Sequence, residues 1–136
     1  MTSCIAQVEN FVVNDLNFRA FLQENHPEIF INDSLLDINS CYNITSIDCS
    51  SSEISSIDGI KYFENLTHLN CSYNQITQLP ELPPNLTYLN TSHCINLSTI
   101  ESLPHSLEFI DCSFNQINIL PDLPSNLKQL YCAVNT

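Results

Sequence analysis

Histidine and serine are the residue types in this chain that could support nucleophilic catalysis. His68 and His93 both have serines close by along the sequence. A serine hydrolase also needs an acid that orients the histidine inside a pocket, and an oxyanion hole. A histidine on an exposed strand has neither, so we predict no catalytic residues and no enzyme activity.

Cysteine could bind a metal, and the chain has seven cysteines. Most of them recur singly along the chain, whereas structural zinc sites use paired C-x₂-C ligands. Residues 32–37 (NDSLLD) carry calcium-binding side chains but lack the central glycine and the distal glutamate of an EF-hand loop. We therefore predict no metal site and no cofactor.

The charge of the chain excludes some classes of partner. Among 136 residues, 3 are Lys or Arg and 15 are Asp or Glu, a net charge of -12. Such a chain repels nucleic-acid phosphates and anionic lipid surfaces, and no apolar run approaches the ~20 residues that span a bilayer. We predict no nucleic acid as a partner and no membrane insertion.

The first residues bear on localisation. Residues 3–7 (SCIAQ) resemble the small-residue end of a signal peptide. This interpretation predicts a secreted or cell-surface protein. The alternative is an ordinary terminus and a cytoplasmic protein.

The chain repeats itself with a period of about 20 residues. Units begin near residues 44, 66, 86, 107 and 127, and the first of them is longer than the later ones, with a short helical turn predicted around Gly59 and Ile60. Residues 44–136 are therefore predicted to form the repeats. Residues 1–43 are predicted to form an N-terminal cap.

A short amphipathic helix is predicted in this cap, over residues 15–22. It has a start signal at Asn14 or Asp15, apolar residues at i, i+3 and i+4, and Pro27 beyond its end. Its apolar face would cover the open end of the first repeat.

Each unit shows the alternation of a short strand followed by a turn. In the unit that begins at Leu66, the residues Leu69 and Cys71 alternate with polar residues before Asn74. This is the signature L-x-x-L-x-L-x-x-N/C-x-L of leucine-rich repeats. We predict an α/β-type solenoid, a right-handed superhelical arc with a parallel concave β-sheet, a mostly extended or irregular convex side and an N-terminal helical cap.

Two internal rows follow from this register. The third apolar position points inward and should stack from repeat to repeat, and the turn position should bond to the backbone of a neighbouring coil. Equivalent Cβ atoms on strands about 4.8 Å apart exceed the ~3.8 Å that a disulfide prefers, so we predict packed thiols. The inward row is Cys49, Cys71, Thr91, Cys112 and Cys132, and the turn row is Ser52, Asn74, Cys94, Asn115 and Asn135. Cys4 and Cys41 lie outside the repeats, and whether they pair is open.

The return segments, residues 79–83 and 120–124, are rich in proline and are predicted on the convex side. Leu82 and Leu123 within them should close the core from behind. The sequence ends inside the fifth repeat, so Leu127, Leu130 and Cys132 should leave an exposed apolar edge through which the chain could associate with itself.

The repeats resemble bacterial leucine-rich repeats with the pattern LPxLPxx-L-x-x-L-x-C/V-x-x-N, as in effectors of the YopM and IpaH type. The opening DLNFRAFLQENHPEIF and the cysteine-bearing repeats resemble more closely the secreted, internalin-like leucine-rich-repeat proteins of Bacteroidetes, over about residues 8–136. The resemblance implies an adhesin, a receptor or another binding protein. The ubiquitin-ligase and sorting domains of these classes do not occur in the sequence, which suggests a fragment or a short paralogue.

In such a solenoid the outward residues of the strands are the usual contact surface. The register predicts four outward columns, of which the third forms a floor rich in hydroxyl groups between two columns of rings: Ser50, Ser72, Ser92, Ser113 and Ala133. For this column we favour a structural role, because small residues before the turn relieve crowding. Exposed rings beside polar groups suit a protein epitope or a sugar, and aromatic residues also pair across strands without any ligand. The predicted ligand-binding residues are His68, Asn70, Tyr73, Tyr88, Asn90, His93, Phe109, Asp111, Phe114 and Tyr131.

Three functions remain open at this stage. The first is a recognition module that binds a protein through the concave face. The second is a glycan-binding module on the same face. The third is a structural spacer within a longer surface protein.

Overall fold

The computed structural model describes residues 10–135. The predicted signal-peptide remnant at residues 3–7, and Cys4 within it, lie outside this range. The elements of the cap are β1 (Asn10–Val12), α1 (Leu16–Asn25), β2 (Leu35–Asp37) and α2 (Ile38–Cys41), with a 3₁₀ turn at Pro27–Ile29. The strands of the repeats are β3 (Ser46–Asp48), β4 (His68–Asn70), β5 (Tyr88–Asn90), β6 (Phe109–Asp111) and β7 (Gln129–Tyr131).

The five repeat strands form one parallel sheet in the order β3-β4-β5-β6-β7. Each strand pairs with the next one in the chain, and the register aligns equivalent repeat positions, as in the pairing of Ser46 with His68 and of His68 with Tyr88. The return segments 79–83 and 120–124 contain no helix or strand. The predicted solenoid is confirmed, and coils 1 to 5 are named here after the strands β3 to β7.

The core of the solenoid is a column of inward side chains. Ile47, Leu69, Leu89 and Ile110 at the strand centres are at most 2% exposed. The same core contains Phe18 of the cap helix, so the cap and the repeats share one core. The division of the chain at residue 43 stays a prediction.

The cap helix begins where the sequence predicted and ends later. The Oδ1 atom of Asp15 accepts a hydrogen bond from the backbone N–H of Phe18 at 2.8 Å and caps the first turn. The Oδ2 atom of the same carboxylate accepts from the backbone N–H groups of Ser55 (2.9 Å) and Ser56 (3.0 Å) in coil 1. One carboxylate therefore starts the helix and ties it to the repeats.

A ring of the cap packs onto the backbone of coil 1 at Gly59. This glycine has φ +96°, which favours glycine, and a Cβ atom there would lie 2.5 Å from Cε1 of Phe11. The 3₁₀ turn Ile60–Tyr62 follows directly and confirms the predicted helical turn in the first repeat.

The inward row of thiols is confirmed in coils 1, 2 and 4. Cys49, Cys71 and Cys112 are buried free thiols, and Thr91 takes the same position in coil 3 with no exposure. Cys132 in coil 5 is exposed. Among the described residues no disulfide is formed, and Cys41 is also a buried free thiol.

The prediction for the leucines of the return segments is right for Leu82 and wrong for Leu123. Leu82 is 9% exposed, whereas Leu123 is 49% exposed. The return segment of coil 2 has that of coil 3 beside it, as the bridge between Gln78 and Thr99 shows. Residues 10–135 contain no equivalent segment to lie against Leu123. Leu127 and Leu130 also lack a following coil within the described residues, and they are half-buried. This agrees with the predicted apolar edge.

The turn row connects neighbouring coils through asparagine side chains, as predicted. Nδ2 of Asn74 donates to the backbone oxygens of Cys49 (2.9 Å) and Cys71 (3.0 Å). Oδ1 of Asn74 accepts from the backbone N–H groups of Ser52 (3.1 Å) and Ile54 (2.9 Å). This buried amide therefore satisfies backbone groups of both coils at the point where neither coil has a strand partner.

The other members of the row repeat part of this pattern. Nδ2 of Asn135 donates to the backbone oxygen of Cys112 at 3.0 Å, and its Oδ1 accepts from the backbone N–H of Ile117 at 3.1 Å. The thiol of Cys94 donates to the backbone oxygen of Cys71 at 3.3 Å. The backbone N–H groups of Asn74 and Ile76 donate to the sulfur, but a thiol is a weak donor and a weak acceptor, so coil 3 has the weaker link.

Asn115 departs from the pattern, because its buried Oδ1 has no partner in the described structure. Its Nδ2 still donates to the backbone oxygens of Thr91 and Cys112. The preceding coil has an extra residue after Cys94, since the unit from Leu86 to Leu107 is longer by one than the unit before it. In coil 1, the backbone N–H groups of Ser52 and Ile54 donate to Oδ1 of Asn74. We attribute the unpaired oxygen of Asn115 to the insertion, which displaces the equivalent backbone donors of coil 3.

Replacing Asn74, the fully bonded asparagine of the turn row, should destabilise the protein strongly. We expect Asn74→Ala to lower the free energy of unfolding by about 2–4 kcal/mol, because buried backbone groups of two coils lose their partners. Urea denaturation followed by circular dichroism measures the change. Asn96→Ala, at an exposed asparagine, is the matched control and should change the value by less than about 0.5 kcal/mol. Equal effects of the two variants would contradict the structural role.

The thiols should differ sharply in reactivity in the folded protein. Burial and the nearby charge of Asp48 raise the pKa of Cys49 to about 12, and burial raises the pKa of Cys112 to about 11. At pH 8 these groups are almost entirely protonated thiols, which do not react with alkylating agents. We expect iodoacetamide and peptide mapping to show fast labelling of Cys132 and slow labelling of Cys49, Cys71 and Cys112. In denaturant all four should react alike, and fast labelling of Cys49 without denaturant would refute the buried row.

Candidate recognition surface

The outward column of the strands brings three rings together on the concave face. The sheet pairs His68 with Tyr88 and Tyr88 with Phe109. The ring centroids of His68 and Tyr88 are 5.7 Å apart, and those of Tyr88 and Phe109 are 4.5 Å apart, with the planes inclined by 17° and 6°. Tyr131 lies across from Phe109 at 5.7 Å and 43°. These four residues are called the concave ring row.

A second row of rings lies in the turn after each strand. Tyr73, His93 and Phe114 stack with ring centroids 4.3 Å apart at both contacts and planes inclined by 8° and 10°. These three residues are called the turn ring row. The structure therefore brings six of the seven predicted ring residues into two stacks, one on the face of the sheet and one at its edge, and Tyr131 contacts the first of them at a tilted angle.

The turn ring row has a left-handed backbone. The φ angles of Tyr73, His93 and Phe114 are 56°, 57° and 58°, and Ser51 and Val134 continue the row at 53° and 55°. Residues with a Cβ atom disfavour this conformation by roughly 1–2 kcal/mol each. The neighbouring coils hold it, because the backbone N–H of Tyr73 donates to Ser92 and that of His93 donates to Ser113.

The polar column of the strands has a structural role. Oδ1 of Asn70 accepts from the backbone N–H of Ser72 at 3.2 Å, and Oδ1 of Asp111 accepts from that of Ser113 at 2.9 Å. Asn90 makes the same bond to the second residue after it. Each of these side chains closes a turn and retains other polar atoms for a ligand. Their predicted role in binding stays a prediction.

Asp48 in coil 1 also accepts a hydrogen bond from the backbone N–H of the second residue after it, Ser50, and its pKa shows the electrostatic effect of such bonds. Burial works to raise the pKa of Asp48, but hydrogen bonds from Ser50 and Asn70 outweigh it and hold the pKa below its ordinary value. The carboxylate is therefore fully ionised at neutral pH.

The serine column has the structural role that small residues before a turn favour, and it is not an exposed floor. Ser72, Ser92 and Ser113 are 4%, 7% and 6% exposed. Their backbone N–H groups bond to the polar column, and the hydroxyl of Ser72 bonds to Asn70 as well. The turn draws these serines inward, so their hydroxyl groups do not form a contact surface.

The two ring rows differ in exposure. Tyr88 and Phe109 are half-buried, whereas Tyr73 and Phe114 are 58% and 43% exposed. Ile95, which the sequence analysis missed, is 63% exposed. The signal for it was present, because Ile95 and Asn96 occupy the site of the extra residue in the third repeat.

A groove of about 440 Å³ runs beside the turn ring row. The residues that line it come from three coils: Ser51, Glu53, Tyr73, Asn74, Gln75, His93, Ile95 and Asn96. A second depression, of about 470 Å³, lies between the return segments on the convex side and includes Glu101 and Leu123. The sequence pointed to the rings of the first groove as ligand-binding residues, but not to Glu53, Gln75 or Ile95.

Neither His68 nor His93 forms an ion pair with a carboxylate within residues 10–135. His68 Nδ1 lies 2.9 Å from Oγ1 of Thr67, the residue before it. Within residues 10–135 the one histidine close to a carboxylate is His26, beside Glu28. No group of three side chains able to hold a metal ion occurs in the same range, and none of its helices is long and apolar enough to cross a membrane.

Loss of a central ring should destabilise the turn ring row. We expect His93→Ala to lower the free energy of unfolding by about 1–2 kcal/mol, because both ring contacts are lost while the left-handed backbone remains. His93→Phe preserves both contacts and should change the value by less than about 0.5 kcal/mol. Urea denaturation measures both variants. An alanine variant as stable as the phenylalanine variant would show that the stack contributes nothing.

Comparison with known proteins agrees with this geometry. Residues 64–105 match a family model described as leucine-rich repeats in two copies, and residues 106–131 match one described as a leucine-rich repeat. A search of curated proteins found no match.

Among solved structures, the leucine-rich-repeat domain of a Shigella effector is similar, with 31% identity and a TM-score of 0.50. The match covers 72% of this chain and 54% of that one, so the chain spans about half the length of the effector structure. The repeats, the parallel sheet and both family matches lead to the same conclusion: this chain is a leucine-rich-repeat protein, similar to those of bacterial effectors.

Proposed function

We propose that this protein is a non-catalytic recognition module that binds a protein partner through the concave face of its repeats. Leucine-rich-repeat domains typically mediate protein interactions and are generally non-catalytic. The observation that carries the proposal is the concave ring row, which places Tyr88 and Phe109 in a rigid stack between polar residues. Rigid aromatic anchors with a polar surround are typical of the energetic centre of a protein interface.

The stacking of the rings disfavours a glycan as the ligand. A sugar packs against the flat face of an aromatic ring. His68 covers one face of Tyr88 and Phe109 covers the other. The edges and the Tyr88 hydroxyl remain for a ligand, which suits the irregular surface of a protein better than a sugar ring.

The surface also has a definite charge. The concave column that contains Asp48 and Asp111 has two carboxylates and no lysine or arginine. The three cationic residues of the chain, Arg19, Lys61 and Lys128, lie outside the predicted ligand-binding residues. A partner with a basic surface would therefore associate faster at low ionic strength.

We further propose that the protein acts outside the cell that makes it, as a secreted or surface-associated protein. The support is the sequence of residues 3–7, which resembles the end of a signal peptide. Fractionation of the native cells with an antibody to the repeats tests this, and protein confined to the cytoplasm would refute it.

Removal of the central concave rings should abolish partner capture. The immobilised protein is incubated with extracellular medium and host-cell extract, and bound proteins are quantified by mass spectrometry. Tyr88→Ala combined with Phe109→Ala should reduce specifically captured proteins at least about tenfold. The loss follows from the removal of both anchors at the centre of the row.

The matched control removes two exposed apolar side chains from the convex side. Ile119 and Leu123 are 82% and 49% exposed, and their combined replacement by alanine should leave capture unchanged. Circular dichroism confirms that both double variants fold. Capture that survives the concave changes but not the convex ones would refute the concave site.

A further inference from the structure

The groove beside the turn ring row is lined by one acidic residue, Glu53, together with aromatic residues. Glu53 is exposed, and its backbone is fixed: its φ is 55°, and its carbonyl oxygen accepts a hydrogen bond from Nδ2 of Asn17 in the cap helix at 2.8 Å. The carboxylate is thus presented from a fixed point of the backbone. Tyr73 lines the same groove from the next coil.

The carboxylate of Glu53 lacks the lysine partner that two other glutamates of the coils have. Glu81 pairs with Lys61 at 3.1 Å and Glu108 pairs with Lys128 at 2.8 Å. Within residues 10–135, Glu53 has neither an ion pair nor a side-chain hydrogen bond, and Arg19 forms no ion pair with it. Both lysines of the chain pair with other carboxylates, so within residues 10–135 the Glu53 carboxylate is free to accept a cation from another molecule.

The ring of Tyr73 has one covered face and one open face. His93 covers the face toward coil 3 at 4.3 Å. On the side of coil 1 the row continues with Ser51, as the backbone hydrogen bonds from Ser51 to Ser72 and from Tyr73 to Ser92 show. A serine is too small to cover a phenol ring, so the row of rings ends at an open aromatic face on the same side as Glu53.

An open aromatic face beside an unpaired carboxylate suits a cation of planar shape. A guanidinium group stacks on a ring, gains cation–π attraction and donates two hydrogen bonds to one carboxylate. An ammonium group has no flat face to stack. Gln75, with an amide acceptor, and the exposed Ile95, with an apolar side chain, line the same groove.

We propose that this groove binds an arginine side chain of the protein partner, with the guanidinium between the open face of Tyr73 and the carboxylate of Glu53. The proposal rests on the proposed recognition of a protein and specifies the chemistry of one contact. The net charge of -12 favours approach of a basic segment.

The test is a titration of the full ¹⁵N-labelled chain with the blocked tripeptide acetyl-Gly-Arg-Gly-amide, followed by amide chemical shifts. We expect saturable shifts at Ser51, Glu53, Tyr73 and Gln75 with a dissociation constant in the millimolar range. The same peptide with citrulline, which has the shape of arginine without its charge, should give no saturable shift.

Two variants separate the two halves of the site. Glu53→Gln should weaken binding about fivefold, since it removes one ion-pair contact. Tyr73→Asn should weaken it about threefold, because asparagine suits the left-handed backbone but has no ring. Glu101→Gln removes one negative charge at the convex depression and should leave the dissociation constant unchanged.

The proposal is overturned if the citrulline peptide binds equally, if the arginine peptide shifts no amide of the groove, or if Glu53→Gln and Glu101→Gln have the same effect. The last outcome would show attraction by net charge alone. These outcomes are independent of the capture experiment on Tyr88 and Phe109, so a failed arginine site leaves the proposed function standing, and a failed capture leaves the peptide result interpretable.

Discussion

The structure depends on one requirement, that the backbone groups of each turn find partners in the neighbouring coil. Strands of three residues leave most of each coil without strand pairing, and buried backbone groups without partners are costly. Asn74 meets this requirement by bonding to backbone groups of coil 1 and of its own coil. The amide row therefore fixes the spacing and alignment of the coils, and every outward row inherits that alignment.

The stacked rings are a consequence of this alignment. Parallel strands lie about 4.8 Å apart, close to the 4.3 to 4.5 Å that separates the stacked ring centroids of the turn row and of Tyr88 and Phe109. Equivalent rings on adjacent coils must therefore meet face to face. The stack is rigid before any ligand binds, which reduces the entropy lost on binding, and its faces are inaccessible except at its ends.

The proposed arginine site arises where the regular pattern stops. Coil 1 has Ser51 in place of a ring, so Tyr73 has an open face, and Asn17 of the cap positions the backbone of Glu53. Coil 3 has an extra residue that brings Ile95 to the surface and leaves Oδ1 of Asn115 without a partner in the described structure. The regular coils supply a rigid support, and the irregular residues supply the chemistry of the groove.

The sequence by itself determined the solenoid, the register of the strands, the inward thiols and the asparagine row. Alternation with period two states which side of a strand a residue faces, and the repeat length, about 20 residues, states which residues are neighbours across coils. It also identified both ring rows. Only the tertiary structure decided that the serines are buried, that Leu123 is exposed, that the rings cover one another and that Glu53 and Tyr73 line one groove. These properties depend on how turns curve and on which coil lies alongside, and neither is encoded in the order of apolar and polar residues within one repeat.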